Sequence, residues 1–416
     1  MKLAWLCNMT PGAVSRCRGT GGGGLWLDHV LDDLCTRQDI SVRLFCPGGT
    51  ETGRVDEKTD YVLFAEGAPQ SYRQQLEDLF YGQLLDFQPD VIHIWGTEYG
   101  HTLAMVNAAQ RLGWENRVAI SIQGLCSSCA RHYCEGIPEA VCHRYSLRDF
   151  LKRDNLLGQQ KQFVRRGELE SQALEKVGHV IGRTDFDRAV TGQINPHRRY
   201  HFCNETLREG FYQDVWRYSG CKKHRIFLSS ALFPFKGTHY LLEAMPLVLA
   251  EFPDAEIVVT GDSFFKSTLP EKLRQDYYHR YLARLAEKNR LRDKIHFLGA
   301  LSEQQMKQAF LDCNVFVLPS TIENSPNSLG EAMLLGVPCV AADVGGVSNM
   351  LHPGQGYVYQ STAPYMLAHY IMEVFRQQER AEEMGAQARL QALETHNPEK
   401  NMKDLLEIYR LIAEER

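Results

Sequence analysis

A chain of 416 residues is longer than one typical hydrophobic core, which points to two domains. With 44% hydrophobic and 23% charged residues it reads as an ordinary globular protein, and its net charge of −5 argues against non-specific nucleic-acid binding. No apolar run reaches the ~18 residues of a membrane-spanning helix.

The opening Met1-Lys2-Leu3-Ala4-Trp5-Leu6-Cys7-Asn8 is too short for a signal peptide and reads as a buried first strand. Without an export signal, the twelve cysteines fit free thiols in a reducing cytosol. Cys126, Cys129, Cys134 and Cys142 cluster, and Cys126-x-x-Cys129 has zinc-like spacing. A second such pair is missing, so partly buried thiols are the reading adopted and no metal site is expected.

Strand signals recur between helical stretches in both halves, at 3–7, 41–45, 91–95, 118–122 and 179–181, then at 225–229, 256–260, 294–298, 315–318 and 338–342. That alternation predicts βα units and parallel sheets. Asn195 to Lys223 is polar and reads as the linker between the halves. Met402, Leu405, Leu406, Ile408, Leu411 and Ile412 are spaced as one face of a terminal amphipathic helix over 398–416.

Several stretches carry candidate chemistry. Gly19 to Gly24 form a glycine-rich turn before a helix, where a backbone can approach phosphate closely. Asn8 to Arg18 separate it from the strand, which departs from the dinucleotide fingerprint and ranks an NAD oxidoreductase last. Arg16 and Arg18 in that loop are candidates for an anionic acceptor or for plain solvation. After the strand at 91–95, Glu98 and His101 are candidate acceptor-side proton carriers, or caps of the next helix. Gln123 ends the strand at 118–122; it can orient a hydroxyl but cannot take a proton. The basic, partly apolar stretch 143–167 suits an anionic membrane surface or a lipid-phosphate acceptor, or is a solvated helix face. Arg183 follows the strand at 179–181, and Lys236-Gly237 follows the one at 225–229. A lysine at a helix start suits a diphosphate.

The stretch 315–335 reads as strand, loop and helix. Val315 to Leu318 are apolar, Pro319 and Ser320 end the run, and Ser328 to Leu335 form a helix stopped by Gly336 and Pro338. The loop therefore lies at the carboxyl end of a parallel strand, where ligands bind, beside unpaired helix-start amides. Glu323 and Glu331, with Pro326-Asn327 between, resemble the paired-glutamate motif of retaining glycosyltransferases of the GT-B fold, family four. Gly336 to Gly346 is similar to the strand and glycine turn that follow in that family.

The resemblance implies an α/β protein of two Rossmann-like, doubly wound parallel-sheet domains facing a cleft. An acceptor-side domain over 1–205, with 398–416 packing back on it, would precede a nucleotide-sugar domain over 206–397. It implies transfer of a sugar, most simply from a UDP-sugar, to a saccharide or lipid-linked saccharide in surface polysaccharide assembly. The chain would work in the cytoplasm, with peripheral contact to the inner membrane surface and no nucleic-acid partner. Lys236 and the amides after Glu323 would do what a metal does elsewhere, so no cofactor is called for. Glu323 would meet the transferred sugar and Glu331 the ribose. Gly22, Gly23, Arg183, Gly261, Gly299, Ala300, Asn324, Ser325, Asn327, Ser328 and Leu329 complete the donor set. Arg16, Arg18 and Gln123 fall on the acceptor side, with Glu98 and His101 beside the reacting hydroxyl. The family's arginine before Lys236 is missing; Ser230 and Ala231 stand there. A non-catalytic sugar-nucleotide-binding subunit and a nucleotide-sugar epimerase are the rival readings.

Overall fold

The computed structural model describes residues 1–20 and 26–415. The chain divides into two compact units, one of 1–128, 163–208 and 396–416, the other of 129–162 and 209–395.

The first unit is built on β1 (Lys2–Cys7), β2 (Ser41–Pro47), β3 (Thr52–Arg54), β4 (Thr59–Phe64), β5 (Val91–Trp95), β6 (Val118–Ser121), β7 (His179–Gly182) and β8 (Arg199–Phe202). Their order is β3-β4-β2-β1-β5-β6-β7-β8. Every pairing is parallel except β3 with β4. Alternate residues of β1 feed different cores. Leu3, Trp5 and Cys7 pack with Met402, Leu405 and Tyr409 of the last helix, Pro398–Glu414. Ala4 and Leu6 pack on the other face with Phe80, Leu84 and Leu103. Both faces are covered, which is why β1 reads as a continuous apolar run rather than an alternating one. The chain steps outward from β1 to β2 and β4, then crosses to β5 on the other flank. The order thus reverses between β1 and β5.

The second unit holds β9 (Arg225–Leu228), β10 (Glu256–Val259), β11 (Ile295–Phe297), β12 (Val315–Leu318), β13 (Cys339–Ala342) and β14 (Tyr357–Tyr359). They form an all-parallel sheet in the order β11-β10-β9-β12-β13-β14. Here the order reverses between β9 and β12. In each sheet that reversal opens a crevice outside the carboxyl ends of the two strands.

Two sequence readings are corrected. The stretch 195–223 is not all linker, because β8 lies inside it as an edge strand. Its basic, half-exposed residues hide a strand that is hydrogen-bonded on one side only. The segment 129–162 belongs with the second unit, not with the residues before it. Polar anchors explain this. The His132 carbonyl accepts from Thr321 Oγ1 at 3.0 Å, Glu135 O meets His239 Nε2 at 3.1 Å, and Asp149 Oδ2 accepts the Tyr277 amide at 2.8 Å. The cysteines are free thiols, and no group of three or more metal-ligating side chains forms among the described residues.

The last helix is tied to the first sheet by one buried network. Tyr409 Oη accepts from Trp5 Nε1 at 3.1 Å and lies 2.6 Å from His93 Nδ1, while His93 Nε2 lies 2.7 Å from Ser121 Oγ. Burial holds the His93 pKa down to about 3, so the ring stays neutral. Tyr409→Phe should destabilise the protein by about 1–3 kcal/mol, because it strands two buried polar groups. Urea unfolding followed by circular dichroism measures it; an unchanged midpoint would mean the network holds nothing.

Candidate functional site

The reversal of the second sheet brings together the loops that follow β9 and β12. After β9 the chain makes a short 3-10 turn, Pro234–Lys236, and Gly237 starts the helix Thr238–Glu251 with φ +68°. A Cβ on Gly237 would sit 1.8 Å from the Pro319 carbonyl oxygen, so only glycine lets this loop close on the other. The Thr321 amide donates to Phe235 O at 2.8 Å and locks the two loops. Lys236 Nζ then donates to Glu323 Oε1 at 2.6 Å, and Ser320 Oγ donates to the same oxygen at 2.7 Å.

The loop after β13 supports Glu323 from behind. Gly345, at φ +53°, lies where a Cβ would stand 1.8 Å from the Glu323 carbonyl oxygen, and the Gly346 amide donates to that oxygen at 3.2 Å. Three loops thus hold one ammonium and one carboxylate in a fixed pair. The helix Asn327–Leu335 follows, with Pro326 at its cap and no side chain closing its start. Its Leu329 amide donates to the Pro326 carbonyl, so the first-turn amides with no partner among the described residues are those of Asn327 and Ser328. Leu329 itself is core. Glu331 is buried on the second turn, Asn324 is buried in the loop, and Ser325 Oγ lies 3.4 Å from Met350 Sδ.

On the flank of this crevice, Gly261 and Gly299 pair across the ends of β10 and β11, the Gly261 amide donating to Gly299 O at 2.8 Å. Both have positive φ, and a Cβ on either would meet open space. Ala300 beside them is exposed. Ser230, Ala231 and Gly261 line a cavity of about 390 Å³ whose lining also includes Lys266 and Arg274. Sequence reasoning missed these two cations because they lie far from any strand end. Spacing from Ser230 gives no hint of them.

In the first unit the reversal gathers the ends of β1 and β5. Asn8 Nδ2 donates to Glu98 Oε2 at 2.8 Å, and Asn8 Oδ1 lies 2.8 Å from His101 Nε2. Glu98 and His101 therefore meet through Asn8. Neither caps the helix Gly100–Arg111, whose start has no side-chain cap. Gly96, at φ +102°, makes room: a Cβ there would stand 2.2 Å from Glu98 Oε2. Burial raises Glu98 to about 7, with the nearby Glu170 carboxylate adding, and burial lowers His101 to about 3.

Glu170 is fully buried and was invisible to sequence reasoning. It accepts from Thr97 Oγ1 and the Cys126 and Ser127 amides, and so fixes the loop that carries Glu98. Other predicted residues are committed elsewhere. Arg183 is buried and paired with Glu205, which also accepts from Gln123 Nε2. Arg16 lies on the helix Gly12–Cys17 and pairs with Asp32 at 3.4 Å, while Arg18 pairs with Glu51 at 2.7 Å. Gly22 and Gly23 lie outside the described residues.

Two parallel α/β sheets of this kind define the GT-B class of glycosyltransferase folds. Over the whole chain the structure is similar to sucrose-phosphate synthase from Thermosynechococcus elongatus, with a TM-score of 0.70 at 15% identity and 100% of each chain covered. It is also similar to HepE of Anabaena in complex with UDP and glucose, with a TM-score of 0.66 at 17% identity over 98% of this chain and 99% of that one. Residues 219–391 match the family model for glycosyl transferases group 1. A relative in Corynebacterium glutamicum is a GDP-mannose-dependent monoacylated alpha-(1-6)-phosphatidylinositol monomannoside mannosyltransferase. It is 30% identical over 171 residues, which are 39% of this chain and 41% of that protein. The matches span 35% to 41% of the length of the first three such relatives.

The Glu98 environment predicts a pH signature. An unfolded glutamate titrates near ~4.3, so with a folded pKa of about 7 the native state binds the extra proton between those values and loses stability as pH rises through them. Glu98→Gln has no charge to bury and can still accept from Asn8. Its Tm should exceed that of the parent at pH 8 and converge on it near pH 4. Equal Tm values at both ends would show that the carboxyl is not raised.

Proposed function

We propose that the chain is a retaining glycosyltransferase that moves a sugar from a nucleotide-sugar donor, a UDP-sugar, to a saccharide or lipid-linked saccharide acceptor. The role proposed is surface polysaccharide assembly on the cytoplasmic side. The observation that carries it is the Lys236–Glu323 pair at the reversal of the second sheet.

An ammonium has three donors, and the pair uses one. The rest are available to a diphosphate, beside the Asn327 and Ser328 amides. As the sugar–phosphate bond breaks, one further negative charge builds on the β-phosphate of the leaving nucleotide, and these fixed donors stabilise that charge without reorganising. They supply what a metal supplies in other transferases, so the reaction proposed is metal-independent. Among the described residues the bonds to the Glu323 carboxylate fall on Oε1; Oε2 is left to accept a hydroxyl of the transferred sugar. Glu331 accepts from the ribose. Lys266 and Arg274 take the place of the missing arginine, since Arg183 is neutralised by Glu205.

On the acceptor side, Glu98 with a pKa near neutrality orients the attacking hydroxyl, and Asn8 and His101 hold it in place. The hydroxyl attacks from the face the nucleotide leaves, and a phosphate oxygen takes its proton. The HepE complex with UDP favours a uridine donor, while the Corynebacterium relative uses GDP-mannose and a lipid-bearing acceptor. The lipid-linked class of acceptor is the more specific of the two acceptor readings for that reason.

Thermal shift against UDP-, GDP- and ADP-sugars identifies the donor. A ligand at a hundred times its Kd should stabilise the fold by about 2.7 kcal/mol. With that donor, Lys236→Ala should lower kcat by about 10²-fold or more. Glu331→Ala should chiefly raise the donor KM, by about tenfold or more for a lost charged hydrogen bond. A Lys236→Ala enzyme with full turnover would remove the leaving-group role, and binding without transfer would favour the subunit reading.

A further inference from the structure

The short helix Leu147–Lys152 in the second unit is built inside out. Its acid, Asp149, is 1% exposed, while Phe150 and Leu151 are 69% and 73% exposed. The cause is local. Asp149 closes a capping box with Ser146, accepts the Tyr277 amide and pairs with Arg148 at 3.0 Å. Holding that carboxylate inward turns the two large apolar side chains outward. Tyr145 and Leu147, about half exposed, join them.

A second element extends the same face. The helix Leu269–Arg274 packs against Leu147–Lys152, buries none of its residues and exposes Leu269 and Leu273. Exposed cations flank the apolar side chains: Arg144, Lys152, Arg153 and Lys272. Of the nearby acids, Asp154 pairs with Arg148, while Glu271 keeps its charge beside its cap Thr268 and Glu139 is exposed 3.8 Å from His143, so the four cations outnumber these two. The face is therefore apolar at its centre and positive at its rim, on a chain whose net charge is −5.

We propose that this face docks on an anionic lipid bilayer, with Phe150, Leu151 and Leu269 inserting at the headgroup level and the four cations meeting lipid phosphates. Clustered lysine and arginine around exposed phenylalanine and leucine suit a charged membrane surface, where each basic residue near anionic lipid adds attraction. Among the described residues no helix is long and apolar enough to cross a membrane, so attachment would be peripheral. The proposal stands apart from the transfer chemistry, and its test reads no activity.

Flotation of the full chain with phosphatidylcholine vesicles, with and without phosphatidylglycerol, tests it. The chain should float with the mixed vesicles and stay at the bottom with pure phosphatidylcholine. Phe150→Ser with Leu151→Ser should abolish flotation. Lys152→Ala with Arg153→Ala should weaken partition about 25-fold, at ~1 kcal/mol per basic residue. All four positions are exposed, so each double variant should keep the parent Tm. A chain that ignores anionic vesicles, or variants that float as well as the parent, would overturn the proposal. So would light scattering that shows the face closing a dimer which the serine variant breaks.

Discussion

One ion pair organises the second unit. Lys236 and Glu323 lie 87 residues apart in sequence and 2.6 Å apart in space. Sheet order brings them together, because β9 and β12 are neighbours at the place where the strand sequence turns back. The close approach is possible only because Gly237 and Gly345 put backbone where any side chain would collide. A charge pair that is only partly buried gains modest energy from its own attraction. Its value is positional: among the described residues, a cation is fixed with donors to spare, and a carboxylate with one oxygen still open.

The first unit repeats the arrangement with different chemistry. Its reversal joins Asn8 to Glu98 and His101, again with a glycine, Gly96, clearing the space. Here burial rather than a counter-charge sets the protonation states. Glu98 is pushed up to about 7 and His101 down to about 3, so near neutral pH both can be uncharged. One unit thus offers fixed charge, suited to a phosphate, and the other offers weakly charged polar groups, suited to a hydroxyl.

Much of this was legible in the sequence, for physical reasons. Strands buried on both faces show as apolar runs, so β5 and β12 are placed to the residue. Candidate residues at strand ends, such as Glu98, Lys236 and Glu323, follow from those strands, because crevices lie at carboxyl ends. What escaped was non-local. β3, β8 and β14 are short edge strands with polar or half-exposed residues, and β4, a mostly buried inner strand, escaped as well because Thr59 and Asp60 open its apolar run. Lys266 and Arg274 reach the cavity from beyond any strand, and Glu170 enters its site from the middle of a long helix, Leu156–Leu174. The segment 129–162 joins the second unit through hydrogen bonds to backbone, which leave no periodic trace.

The central claim is that Lys236, paired with Glu323, receives the diphosphate of a sugar nucleotide. A crystal structure of the chain with a bound nucleoside diphosphate tests it most directly. The account predicts a terminal phosphate oxygen within hydrogen-bond reach of Lys236 Nζ and of the Asn327 and Ser328 amides. A diphosphate bound elsewhere, with Lys236 facing only Glu323, would contradict it.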